Sequence, residues 1–146
     1  MLRLKSIAIL ALCASLTPAF AQSLAEKKMH ADVERSLSQK AETVAKACGA
    51  TINVKFDWST WQEAAKDKEV NFCMNSALNI IENICLLHPK DGKEAVQSKI
   101  KTFTCKVSSP RTLSLKDGEF VYGFDPKGPD WPTDGKVLEK FLMDNL

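Results

Sequence analysis

Apolar residues recur at helical spacing early in the chain. Met29, Val33, Leu37, Ala41, Val44 and Cys48 fall three or four residues apart, while Lys, Glu and Gln fill the other faces. That period predicts a helix over 24–47, with Gly49 as its stop. His30, near its start, is assigned to the solvated face. The pattern then changes to a period of two. Ile52, Val54, Phe56 and Trp58 alternate with Asn53, Lys55 and Asp57, as in a strand with one buried face. Trp58 continues the buried phase and is placed in the core. Ser59 and Thr60, followed three residues later by Gln62 and Glu63, read as capping boxes for a short helix over 60–66.

The clearest helical stripe comes next. Cys73, Ala77, Ile80, Ile81, Ile84, Cys85 and His88 share one face, and Pro89 ends the element. His88 at that end suits the negative pole of the helix dipole. Asp91-Gly92 is a turn, Lys93 to Lys99 a second short helix, and Ile100 to Val107 a strand. Arg111–Lys116 and Glu119–Asp125 flank Asp117-Gly118, a pair suited to a type I′ hairpin. From Lys136 the apolar residues Val137, Leu138, Phe141 and Leu142 predict an amphipathic last helix. No βαβαβ alternation runs through this order. The expected fold is α+β: an antiparallel sheet of about four strands, with N- and C-terminal helices and a central helix packed on it.

The N-terminus alters the domain count. Arg3 and Lys5 precede an uncharged apolar run from Ile7 to Leu16, then Pro18 and Ala19-Phe20-Ala21. The run is about ten residues, well short of the roughly 20 that span a bilayer. This order reads as a secretory signal peptide over 1–21, leaving one secreted domain over 22–146. The expected location is the periplasm, or the medium if secretion continues. Removing Arg3 and Lys5 takes 20 basic residues to 18, equal to the 18 acidic ones. The nominal charge of +2 therefore says nothing about an acidic partner. Lysines are spread evenly, so no nucleic-acid face is indicated, and no other segment is apolar enough to span a membrane.

Removal of the leader also takes Cys13 and leaves Cys48, Cys73, Cys85 and Cys105. Four cysteines in an exported domain read as two disulfides. Their gaps of 25, 12 and 20 residues lack the close pairs of a zinc site. Within one helix, Cys73 and Cys85 would lie about 18 Å apart, too far for a bridge that needs Cα atoms within about 7 Å. Two pairings remain: 48–73 with 85–105, and 48–85 with 73–105. The first is preferred, because Cys85 sits deep in the stripe expected to face the sheet that carries Cys105.

Chemistry is sparse. His30 and His88 are the only histidines, and no HExxH, GxSxG, GxGxxG or GxxxxGK[ST] occurs. No cofactor and no metal is expected. The carboxylates Asp57, Glu63, Asp125, Asp130 and Asp134 are the one acid–base possibility, and a small hydrolase using Asp57 with Asp125 or Asp130 is the alternative reading. The most unusual stretch is Gly123–Gly135, with Pro126, Pro129 and Pro132. It is expected to be neither helix nor central strand, and to be stiff enough to display Trp131, unless that indole folds back onto the core. Trp61, Phe124, Asp125, Asp130 and Trp131 are the candidate binding residues. The expected function is non-catalytic: an inhibitor, immunity-type or envelope accessory protein that offers a rigid surface to another envelope protein.

Overall fold

The computed structural model describes residues 24–62, 65, 68, 71–129 and 131–146. The leader expected over 1–21 lies outside them. Among these residues, four α-helices and a four-stranded sheet form an α+β fold. Helix α1 is Leu24–Cys48, and it buries Val33, Leu37, Ala41, Val44 and Cys48, the stripe that its sequence period marks out. Gly49 closes it at φ 68°, a backbone conformation that costs glycine nothing. Strand β1 is Asn53–Phe56, followed by a 3₁₀ turn, Trp58–Thr60, capped by the Asp57 carboxylate through the Ser59 N–H. The short helix expected over 60–66 falls largely outside the described residues. A π-helical stretch, Asn71–Leu78, runs directly into α2, Asn79–Leu87. Then come α3 (Asp91–Lys99), β2 (Thr102–Val107), β3 (Thr112–Lys116), β4 (Glu119–Phe124) and α4 (Trp131–Asn145).

The sheet order is β1-β2-β4-β3. The β3–β4 hairpin is antiparallel, and Asp117 and Gly118 take the positive φ values, 52° and 81°, that a type I′ turn requires. The other two pairings are parallel, β1 with β2 and β2 with β4. The sheet is therefore mixed, which corrects the antiparallel expectation. The cause lies in the connections. The link from β1 to β2 carries α2 and α3, and such a crossover returns the chain in the same direction. The hairpin then folds back so that β4, not β3, lies beside β2.

One face of the sheet carries Phe103, Cys105, Val107, Phe120, Tyr122 and Phe124, all buried against the helices. The opposite face carries Asn53, Lys55, Thr102, Lys106, Thr112, Ser114 and Lys116, and is polar except for Val121. Packing explains the cysteine pairing. Helix α2 lies against α1, α3 and α4, whereas the π-helical stretch before it packs on α4 and α1 and also reaches β4. Cys85 therefore meets the end of α1, and Cys73 meets the sheet. The disulfides are Cys48–Cys85 and Cys73–Cys105, with Cα separations of 5.1 and 5.8 Å. The preferred pairing of Cys48 with Cys73 and Cys85 with Cys105 is thus overturned, because the stripe does not face one neighbour throughout. The exclusion of a bridge between Cys73 and Cys85 agrees with these pairings.

Candidate binding surface

The sequence-derived candidates occupy two corners of the fold. At the first, the 3₁₀ turn after β1 brings Trp58 and Trp61 together, with ring centroids 5.9 Å apart. Both are half-buried, and both pack against the core. His30 of α1 stacks on Trp58 at 3.6 Å, and the indole N–H of Trp58 donates to Glu34 at 2.8 Å. His30 is therefore not on a solvated face but serves as the seat of Trp58. Trp61 keeps a partly exposed indole.

At the second corner, Phe124 is fully buried and stacks on Phe72, with centroids 5.2 Å apart. It belongs to the core and offers no surface, because it lies in phase with Phe120 and Tyr122 on the inward face of β4. Asp125 is half-buried and spent locally. One oxygen accepts the Lys127 N–H and the other the Ser109 hydroxyl. Asp130 and Glu63 lie outside the described residues. Trp131 opens α4, but its side chain too lies outside what the structure describes. The Gly123–Gly135 segment is thus neither wholly loop nor excluded from the sheet. Gly123 and Phe124 belong to the interior strand β4, and Trp131–Gly135 are helical. Pro132 is tolerated because the first helical turn has no backbone N–H bond to lose.

Asp57 and Asp125 stand at the ends of β1 and β4, with β2 between them. Asp57 accepts from the Ser59 N–H and hydroxyl. Each carboxylate thus shapes its own turn. Among the described residues, no group of three or more His, Cys, Asp or Glu side chains is arranged to hold a metal ion.

Two features escaped the sequence reading. The first is a buried polar tie. The Tyr122 hydroxyl and the Arg111 guanidinium both donate to Asp134, which is buried in the first turn of α4. Burial, and then Asp134 as acceptor, hold the Tyr122 hydroxyl well above the ordinary tyrosine range. Strand, loop and helix are locked together at this point.

The second is an apolar face on α2 and α4. Leu86, Leu87 and Met143 are 57%, 73% and 53% exposed, unusual for large aliphatic side chains. Leu87 and Met143 line a cleft of about 130 Å³ together with Ile80 and Ile84 and the polar Asn83, His88 and Glu139. Helix α2 is held rigidly beneath it by the Cys48–Cys85 bridge and by the Lys40–Glu82 ion pair to α1. Leu86 and Leu87 fall off the buried stripe of their helix. Two leucines outside the core phase were the available signal. No protein-family model, curated protein or solved structure matches this chain.

Proposed function

We propose that this chain is an exported, non-catalytic binding protein of the cell envelope, an inhibitor, immunity-type or accessory factor, and that it binds another protein through the α2–α4 face. The observation that carries the reading is the exposure of Leu87 and Met143 beside a cleft of mixed polar and apolar lining on a disulfide-braced helix. Exposed clustered aliphatics on a rigid support are the ordinary mark of a protein contact, and a two-helix cleft suits an amphipathic partner helix. The periplasm as location is supported by the order of charge, apolar run and Ala19-Phe20-Ala21 in the leader, and by two disulfides, which persist in oxidising compartments.

The test is affinity capture from an envelope extract with the oxidised protein and with a Leu87→Lys, Met143→Lys double variant. Both positions are exposed, so the variant is expected to keep its fold. A specific partner retained by the first protein and lost by the second supports the reading. A partner retained equally by both contradicts it.

A further inference from the structure

Strand β1 is an edge strand, and its outer side is open. The parallel ladder takes the Asn53 N–H to the Lys101 carbonyl and the Asp57 N–H to the Cys105 carbonyl. By that alternation Val54 turns its N–H and C=O away from β2, and no described backbone group bonds to them. Helix α1 packs against β1 but leaves space along this edge. A groove of about 440 Å³ runs between them, lined by Ser38, Ala41, Glu42 and Ala45 of α1 and by Ile52 and Val54. The small side chains leave room for a neighbouring chain.

Natural edges are often blunted by proline, a bulge or an overhanging lysine. This one has no proline, and Lys55 lies across the polar sheet face, 3.2 Å from Glu119. The groove lining carries one charged residue, Glu42, which makes no ion pair among the described residues.

From these observations we infer that the α1–β1 groove is a second binding site, for an extended peptide segment with a basic side chain. The segment adds to the sheet as a strand beside β1. Its backbone pairs with Val54, alternate side chains enter the groove, and a Lys or Arg meets Glu42. Strand addition of this kind draws its affinity from main-chain bonds and its specificity from the adjoining pockets. The site is separate from the α2–α4 face, so either can fail without the other.

The experiment uses random twelve-residue peptides displayed on phage, selected against the oxidised protein and then resynthesised. Selected peptides are expected to carry Lys or Arg within a β-branched run and to slow amide exchange at Val54. Val54→Pro removes the outward N–H, a change that edge strands tolerate, and Glu42→Arg reverses the charge. Each is expected to weaken the peptides at least tenfold, while Leu87→Lys leaves them unaffected. If Val54→Pro unfolds the protein by circular dichroism, Glu42→Arg and the exchange at Val54 decide alone. Three results overturn the inference: no peptide is selected, the selected peptides ignore Glu42→Arg, or the protein alone self-associates through β1, which would make a second copy the occupant.

Discussion

The Tyr122 hydroxyl donates its hydrogen bond to the Asp134 carboxylate and so ties β4 to the first turn of α4. Tyr122 is the only tyrosine in the chain, which makes its ionisation directly readable. Its folded pKa is raised above the unfolded value, chiefly by burial. A raised phenol contributes stability that is complete below pH of about 10 and is lost as pH climbs past it. Absorbance at 295 nm is therefore expected to stay flat through pH 10 and to rise only together with loss of ellipticity. A phenolate signal well before unfolding would show that the tie does not form.

Asp134 accepts from both Tyr122 and Arg111. Removing one partner of a buried charged pair typically costs about 3–5 kcal/mol, because the other is left buried without compensation. Asp134→Ala is expected to fall near the low end, about 3 kcal/mol, because the Arg111 side chain is 25% exposed and can reach water. Urea unfolding of the two proteins measures it.

On the polar sheet face, Glu119 is held below the ordinary carboxylate range, first by the Thr104 hydroxyl and then by Lys55. A lowered carboxylate contributes stability above its unfolded pKa and loses it as pH falls through the folded value. Thr104→Val is expected to move the Glu119 titration upward, read by carbon NMR of the side-chain carboxyl. An unchanged midpoint would remove the hydroxyl as the main cause.

Much of this architecture was legible because it is local. The α1 stripe, the alternation in β1 and the Asp117-Gly118 turn each need only neighbouring residues to declare themselves. The sheet pairing did not, because the direction of β2 relative to β1 depends on a crossover, and the place of β4 beside β2 on a long-range contact. The cysteine pairing failed for a related reason. One continuous stripe from Cys73 to His88 serves the sheet at one end and α1 at the other. Among the candidate residues, Trp61 keeps an exposed edge, whereas Phe124 is in phase with the buried face of β4. The Tyr122–Asp134–Arg111 tie joins three elements and has no spacing to betray it.

Peptide mapping without reduction checks the pairing. Fragments holding Cys48 are expected to travel with those holding Cys85, and Cys73 with Cys105. Removing the Cys73–Cys105 bridge as a paired Ala substitution is expected to cost about 2–4 kcal/mol, with a lower thermal midpoint. A Cys85–Cys105 fragment would show that α2 faces the sheet after all.

The binding role of the α2–α4 face is tested most directly by photo-crosslinking in intact cells. A benzophenone amino acid placed at Leu87 is compared with one at Lys116, exposed on β3 and outside both proposed surfaces. The expected result is a discrete protein adduct from position 87, absent from position 116 and lost on adding Met143→Lys. Equal labelling from both positions, or none from position 87, would contradict a partner seated on that face.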